Sequence, residues 1–470
     1  MFRIILVAAF LAGCAPQPKA VDVVSLVWRV CGAALECATL DVPVDHARPE
    51  GPRLSLAIVR RAAEKSADRI GVLLVNPGGP GISAVASLRW ASPRYGAALR
   101  ERFDLVAFDT RGTGGSTPLD CHESQDVLFA QDPTPETDAQ WIGIVDASRA
   151  FAQECAREHG DLLPYLGTGE SARDMDRVRA ALGETQISYL GFSYGTALGA
   201  SYASLYPERV RAMVLDGSIE PSFDLLVFAH EQAAAVERAF TAYDAAAARE
   251  GWHGTDVLEA VTARAEKAPI PSREGGRLAR ASDILYGSVE SVTSRVGGWH
   301  ELASALGAAQ AGDGADFVRL SDRYFQRAAD GTSALRVEAQ LAVLCADLHR
   351  PASAEAYRDA IPELQRAAPH VGVANLMSLL PCAFWPAPAR ALGSPELADA
   401  SRILVIAGSR DPLTPGVWGV RLSERLRGSA RLDVESDAHT AYARDDACTD
   451  RIVERLLVTL EPPQSPARCP

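Results

Sequence analysis

One pentapeptide constrains this chain more than any other feature. G-F-S-Y-G at residues 191–195 follows the apolar run Ile187–Leu190 and precedes the small-residue segment Thr196–Ser201. A G-x-S-x-G sequence between a strand and a helix is typical of a sharp turn that presents its serine as a nucleophile. The turn is so tight that its flanking positions need residues without bulky side chains. The pattern therefore predicts a strand–turn–helix unit at a sheet edge, with Ser193 as a reactive hydroxyl.

Short apolar runs recur along the chain and alternate with helix-like stretches, which predicts the α/β class with a mostly parallel sheet covered by helices on both faces. From about Pro221 to Trp385 the pattern is helical and alanine-rich, so we expect a helical cap inserted between two strands. The expected units are a core at 28–220 and 386–470 and a cap at 221–385. The predicted strands are Leu40–Val44, Leu54–Val59, Val72–Val75, Leu105–Phe108, Ile187–Leu190, Ala212–Leu215, Ile403–Ile406 and Leu432–Val434.

The N-terminus has the pattern of an export signal, because a short basic start is followed by the apolar run Ile4–Ala12, which is too short to span a bilayer. The run ends in L-A-G-C at residues 11–14, which resembles the lipobox of bacterial lipoproteins. That resemblance implies a signal peptide at 1–13, a lipid on Cys14 and a tether at 14–27. We then expect a lipid-anchored protein of the cell envelope, facing the periplasm or in the outer membrane in a Gram-negative cell. An ordinary secretory signal with a chance cysteine is the alternative.

The net charge excludes one class of partner, and the cysteine content agrees with export. The net charge of −13 argues against nucleic acid, because binding phosphates needs a basic face. Without Cys14, eight of the nine cysteines remain, an even number that favours disulfides in an exported chain. Many pairings are possible; the simplest is sequential, and the alternative leaves some cysteines free and buried. The sequential pairs are Cys31–Cys37, Cys121–Cys155, Cys345–Cys382 and Cys448–Cys469. No pair has C-x-x-C spacing, so no metal site is expected.

A serine nucleophile needs a base and an acid that orients the base, and in this architecture they follow the serine in the order acid, then histidine. Asp411 follows the predicted strand Ile403–Ile406, and His439 follows Leu432–Val434. We therefore predict a triad of Ser193, Asp411 and His439. The alternatives are Asp437 as the acid and, as the base, a histidine of the helical insert: His300, His349 or His370.

The oxyanion formed during acyl transfer needs fixed N–H donors. We expect one to be the backbone of Tyr194, directly after the nucleophile, and the other to come from N-P-G-G-P-G at residues 76–81, after an early strand. Gly79 is the predicted donor; a plain glycine turn is the alternative. Asp109 and Arg111, in the glycine-rich loop after a third strand, are expected to brace the loops around the serine.

These motifs together resemble the secreted tripeptidyl aminopeptidases, which are α/β-hydrolases related to proline iminopeptidases. The resemblance rests on NPGGPG (76–81), DTRGTGGS (109–116), GFSYG (191–195) and the loops of Asp411 and His439. It implies an α/β-hydrolase core with a helical cap, a TAP-like C-terminal region, serine chemistry and no metal or organic cofactor. It also implies release of short peptides from the N-termini of polypeptides.

An aminopeptidase must recognise a free ammonium group, which calls for a carboxylate at a fixed distance from the serine. Asp347 is the first candidate, followed by Glu290 and Glu338. We expect a monomer that acts on peptides. The first alternative is a carboxylester or lipid hydrolase with the same triad, and the second is an inactive hydrolase fold that serves as a surface binding protein.

Overall fold

The computed structural model describes residues 26–470 except 122–123, 221–223, 274–275, 295–296, 328–336, 391–392, 394, 396, 398 and 445. The predicted signal peptide and Cys14 lie outside the described residues. Within the described chain, ten strands form one sheet. They are β1 (Arg29–Gly32), β2 (Leu35–Pro43), β3 (Arg53–Arg61), β4 (Gly71–Asn76), β5 (Phe103–Phe108), β6 (Ile187–Phe192), β7 (Val210–Asp216), β8 (Ile403–Gly408), β9 (Ala430–Val434) and β10 (Ala467–Cys469).

The sheet order is β1-β2-β3-β5-β4-β6-β7-β8-β9-β10. The first three strands and the β3–β5 pair are antiparallel, and every pair from β5 through β4 to β10 is parallel. This confirms the predicted α/β class with a mostly parallel sheet. The carboxyl ends of β4, β6, β7, β8 and β9 therefore meet at one edge, which is where open α/β sheets bind ligands.

The helices cover both faces of the sheet, which is why β4, β5 and β8 are buried along their whole length. Their bounds are α1 (Ala84–Ala91), α2 (Ala97–Arg102), α3 (Ser124–Phe129), α4 (Asp138–His159), α5 (Thr168–Ala181), α6 (Tyr194–Leu205), α7 (Leu225–Arg249), α8 (Gly254–Lys267), α9 (Ala281–Thr293), α10 (Gly297–Gln310), α11 (Ala315–Tyr324), α12 (Val337–Asp347), α13 (Ala354–Ala367), α14 (Gly372–Ser378), α15 (Gly416–Arg425) and α16 (Ala447–Thr459).

Two hydrophobic layers sandwich the sheet. On one face, β6 contributes Tyr189 to a cluster that also holds Met175 of α5 and Leu198 of α6. On the other face, the next residue Leu190 packs in a cluster with Leu88 of α1. Successive side chains of a strand point to opposite faces, so one apolar strand fills both layers.

Helices α7 to α14 follow β7 and precede β8, as the sequence pattern predicts for the insert. Their core is continuous with α4, α6 and α15, since one hydrophobic cluster holds Phe240 of α7 together with Phe151, Tyr194 and Trp418. The long helix α4, between β5 and β6, was not predicted, and the helical region packs on it. The boundaries 221–385 remain a prediction.

The eight cysteines of the described chain form four disulfides, in the sequential pairing: Cys31–Cys37, Cys121–Cys155, Cys345–Cys382 and Cys448–Cys469. Such bonds are typical of proteins that fold outside the cytoplasm. Among the described helices, none combines the length and the apolar character that crossing a bilayer requires.

Candidate active site

Ser193 occupies the predicted turn between β6 and α6. Its backbone has φ 52° and ψ −125°, a conformation that a non-glycine residue seldom adopts and that is found at functional turns. The flanking glycines allow this approach: a Cβ added to Gly191 would lie 2.5 Å from the Gly195 oxygen, and one added to Gly195 would lie 2.8 Å from the Asn76 oxygen. Ser193 therefore sits at the carboxyl edge of the sheet, beside the positive end of the α6 dipole.

Asp411 and His439 are in hydrogen-bonding contact. The Nδ1 atom of His439 lies 3.0 Å from both carboxylate oxygens of Asp411, which is buried in the loop after β8. The carboxylate also accepts the N–H groups of Leu413 and Thr414, at 2.9 Å each, and the Thr414 hydroxyl at 2.9 Å. Burial raises the pKa of Asp411, but His439 and these donors outweigh it and hold the pKa below its usual range. Asp411 is thus an ionised partner for the ring.

Asp216, the last residue of β7, connects the serine turn to the histidine loop. Its carbonyl accepts the Ser193 N–H at 2.9 Å, and its carboxylate accepts the N–H groups of Ala441 and Tyr442, just past His439. Within the described chain, no hydrogen bond joins the Ser193 hydroxyl to the His439 ring. Catalytic hydrogen bonds of this kind are often long in enzymes without substrate and tighten when substrate binds.

The glycine loop after β4 lies directly over the serine. A Cβ added to Gly78 would come 2.8 Å from the Ser193 Cβ and 3.2 Å from the Tyr194 nitrogen. Tyr194 is the first residue of α6, so its N–H has no partner inside the helix. A Cβ on Gly79 would instead meet Gly81 and Ile82 of its own loop, so Gly78 is the glycine in contact with the nucleophile.

Asp347 is connected to the serine turn through Thr168. Its carboxylate accepts the Thr168 hydroxyl at 2.6 Å and the Thr168 N–H at 3.0 Å, and the same hydroxyl is bonded to that of Tyr194. Burial raises the pKa of Asp347 to about 7, with the Thr168 donors opposing the change. Asp347 also lines a cavity of about 390 Å³, together with residues that include Ser201 and Arg390.

The other carboxylates proposed from the sequence have different surroundings. Glu290, on α9, bonds to Arg323 at 2.9 Å and to Ser294 at 3.3 Å, and neither partner belongs to the serine turn. Glu338 is buried on α12, the helix that ends at Asp347.

Two of the alternatives, Asp437 as the acid and His370 as the base, have partners outside the Asp411–His439 pair. Asp437 is exposed and pairs with Arg410. His370 pairs with Glu237 at 2.5 Å and stacks on Phe240, within the helical region.

Asp109 and Arg111, in the glycine-rich loop after β5, form hydrogen bonds with several other segments. Asp109 accepts the Ser83 hydroxyl at 2.9 Å and the Gly115 N–H at 2.8 Å. The Arg111 guanidinium is buried and donates to the Val44 and Tyr165 carbonyls.

Three polar residues of the site were missed from the sequence: Thr168, Asp216 and Thr414. Thr414 and Asp216 carry a local signal, since each lies in a loop or at a strand end at the carboxyl edge of the sheet. Thr168 carries none, because only the tertiary contact between the start of α5 and the end of α12 brings it to Asp347. Among the described residues, no group of three or more His, Cys, Asp or Glu side chains is arranged to hold a metal ion.

Two family models match the chain. Residues 71–251 match the model described as alpha/beta hydrolase fold, and residues 368–469 match the one described as TAP-like protein. The second match begins directly after α13 and includes both Asp411 and His439.

Named relatives align with nearly the whole chain. "Serine protease Hip1" of Mycobacterium tuberculosis is 32% identical, covering 94% of this chain and 88% of the relative. "Tripeptidyl aminopeptidase" of Streptomyces lividans is 32% identical over 92% of this chain and 84% of the relative. "Carboxylesterase B" of Mycobacterium tuberculosis is 34% identical over 92% and 86%. Among solved structures, proline iminopeptidase of Mycobacterium smegmatis aligns with a TM-score of 0.38 at 15% identity, over 90% of this chain and 98% of that one.

Proposed function

Since this chain belongs to the α/β-hydrolase family with a TAP-like C-terminal region, we propose that it is a serine peptidase that cleaves peptide bonds near the free N-terminus of peptides. The observation that carries the proposal is the pair of the buried Asp411 and the partly exposed His439, which lies with the strained turn of Ser193 at the carboxyl edge of the sheet. Two relatives that align over most of the chain and bear the names serine protease and tripeptidyl aminopeptidase support a peptide substrate.

The reaction follows from the roles of the three side chains. His439 takes the proton of Ser193 as the hydroxyl oxygen attacks the peptide carbonyl. Asp411 holds the ring through Nδ1 and stabilises the imidazolium that forms. His439 then gives the proton to the leaving amine, and water repeats the sequence to release the acyl group from the serine.

The oxyanion of the tetrahedral intermediate needs donors that are fixed before the reaction. The Tyr194 N–H at the start of α6 is one, and the loop after β4 supplies the other. Gly79 remains the proposed donor, and the contact of Gly78 with Ser193 and Tyr194 supports the placement of this loop over the nucleophile.

Asp347 remains the proposed anchor for the substrate ammonium. Hydrogen bonds through the Thr168 hydroxyl connect its buried carboxylate to the side chain of Tyr194, the residue after the nucleophile, which supports this role. Asp347→Ala is expected to slow hydrolysis of free-amine peptides much more than that of N-acetylated peptides. An unchanged ratio of the two rates would exclude Asp347 as the anchor, and Glu290→Ala and Glu338→Ala in the same assay test the remaining carboxylates.

A carboxylester hydrolase is the second candidate, favoured by the relative named carboxylesterase B. Both reactions pass through an acyl-serine, so the triad does not separate them. Comparing kcat/KM for a tripeptide amide and a p-nitrophenyl ester decides between them, because only a peptidase stabilises the departure of an amine.

The central experiment is a peptide-library digest followed by mass spectrometry. We expect cuts confined to the first residues after a free N-terminus and much slower cleavage of N-acetylated copies. Ser193→Ala is the blank, with a loss in kcat on the order of 10⁶. Cuts spread along the peptides, or equal cleavage by the Ser193→Ala variant, would contradict the proposal.

The anchor on Cys14 is a separate proposal that rests on the lipobox-like sequence alone. Several acyl chains on one residue make membrane attachment stable, whereas a single chain is marginal. Cys14→Ala is therefore expected to move the protein from the membrane fraction to the soluble fraction without changing the activity per molecule. Retention of the variant in the membrane fraction would show that something else attaches it.

A further inference from the structure

A second carboxylate lies beneath the histidine loop. Asp216 ends β7, between the strand of Ser193 and the strand that leads to Asp411, and it is fully buried. It is outside the triad. The next residue, Gly217, has φ +67° and is tightly packed, since an added Cβ there would lie 3.0 Å from the Thr414 hydroxyl.

Two buried carboxylates accept hydrogen bonds from three consecutive backbone N–H groups of the histidine loop, directly after His439. Asp411 accepts the Thr440 N–H at 3.2 Å. Asp216 accepts the Ala441 N–H at 3.0 Å on both oxygens and the Tyr442 N–H at 2.8 Å. A buried N–H without a partner is costly, so these bonds determine where the loop runs.

The loop needs this support because its backbone is strained. Thr440, directly after His439, has φ 66°, and Ala443 has φ 58°. Left-handed conformations of non-glycine residues persist only where the surrounding structure holds them. The hydrogen bonds to Asp216 are therefore part of what keeps the His439 ring in its place.

The same residue also holds the nucleophile, through its main chain. The Asp216 carbonyl accepts the Ser193 N–H at 2.9 Å, so its backbone is bonded to the serine turn while its side chain is bonded to the histidine loop.

We propose that Asp216 is a positioning residue that sets the separation between the Ser193 hydroxyl and the His439 ring. The inference rests on the proposed triad. An asparagine in its place would keep one acceptor oxygen and turn an NH₂ group toward backbone donors, so the histidine loop would shift. A displacement of about 1 Å in a catalytic group can cost about 100-fold in rate.

The test measures covalent reaction of Ser193 with a small fluorophosphonate and with a p-nitrophenyl ester, which need few contacts beyond the nucleophile itself. Asp216→Asn is expected to lower kcat and the labelling rate about 100-fold, with KM changed little. Rates are expressed per titrated active site and measured well below the melting temperature of each variant, so a loss of folded protein does not count as a loss of positioning.

Asp104→Asn is the matched control. Asp104 is also buried, and it accepts the Ala63 N–H and the Arg69 guanidinium, both at 2.9 Å, at the opposite end of the sheet. Its variant is expected to lose stability and keep the acylation rate within about twofold of the wild type, since it touches neither catalytic loop. If Asp216→Asn does not fold, Asp216→Ser serves instead, because serine is smaller and creates no steric clash.

The outcomes separate the two proposals. If the Asp216 variant acylates at the wild-type rate per active site and loses only stability, Asp216 is structural and the inference is overturned. If the wild type itself is not labelled, or Ser193→Ala is labelled equally, the triad is wrong and the inference fails with it.

Discussion

Asp411, Asp216 and Asp347 are all buried, yet the pKa of each carboxyl differs because its neighbours differ. Burial raises the pKa of Asp216 to about 6 and that of Asp347 to about 7, and in each case hydrogen-bond donors only partly oppose it. For Asp411 the same effect of burial is outweighed by His439 and by donors of its own loop, so its pKa is lowered. Asp411, the carboxylate that must stay ionised beside the imidazole, is therefore the one that accepts the most hydrogen bonds.

Because the pKa of Asp347 is raised on folding, the folded protein holds a proton on this carboxyl at pH values at which the unfolded chain has released it. A carboxyl whose pKa is raised on folding contributes stability below its unfolded pKa, near 3.8, and that contribution disappears as the pH rises to about 7. Each pKa unit corresponds to about 1.4 kcal/mol, so the change in the free energy of unfolding is on the order of a few kcal/mol.

We predict that Asp347→Asn flattens this pH dependence, because asparagine does not titrate. Urea unfolding between about pH 4 and about pH 8 measures the slope. Part of the slope remains in the variant, since the pKa of Asp216 is also raised on burial. Equal slopes in the wild type and the variant would mean that Asp347 does not take up a proton in this range.

The loop after β4 acts through its backbone conformation, which brings it into close contact with the serine turn. Gly78 has φ +104°, and an added Cβ would come 2.7 Å from the Phe192 oxygen and 2.8 Å from the Ser193 Cβ. A methyl group there must displace either the loop or the serine turn. The loop and the turn therefore form one rigid unit around the nucleophile.

We predict that Gly78→Ala lowers kcat/KM by at least about 100-fold and costs more than about 1 kcal/mol of stability. The matched control is Gly183→Ala. Gly183 has a similar positive φ, +77°, but nothing lies within 4 Å of its added Cβ, so only backbone strain is introduced. Enzyme kinetics and denaturant unfolding on both variants separate the two effects, and an equal loss of activity in both would contradict the steric argument.

At the scale of the whole molecule, the helical region and the core are one packed body. A single hydrophobic cluster extends from α7 to α4 and includes Tyr194 beside the nucleophile. The Cys345–Cys382 disulfide closes a loop of 37 residues within this region and holds α12, which carries Asp347. The Cys31–Cys37 disulfide closes a loop of only 6 residues in the first hairpin.

Loop length sets the expected order of stability loss when each disulfide is removed. In the chain-entropy model, Cys345→Ala/Cys382→Ala costs about 4 kcal/mol and Cys31→Ala/Cys37→Ala about 2 kcal/mol. The first pair is also expected to lower activity, because α12 positions Asp347, whereas the second leaves activity unchanged. Guanidinium unfolding and peptide assays measure both, and a reversed order of stabilities would show that native-state contacts outweigh the entropy of the unfolded loop.

Much of this protein is determined by local sequence. The apolar runs at Ile187–Leu190 and Ile403–Ile406 lie inside β6 and β8, and the order of Ser193, Asp411 and His439 along the chain matches the order of their strands. Strand period, turn residues and the position of a polar residue just after a strand are all properties of a few neighbouring residues. They can therefore be recognised without any knowledge of the fold.

Only the tertiary structure decided which distant groups meet. The exchange of β4 and β5 in the sheet, the pairing of β10 with β9 at one edge, and the packing of α4 under the helical region depend on contacts between separate segments of the chain. The same holds for Asp216, whose carboxylate reaches residues more than two hundred positions away. Burial and hydrogen-bond satisfaction select such contacts across the whole molecule, and no local pattern records them.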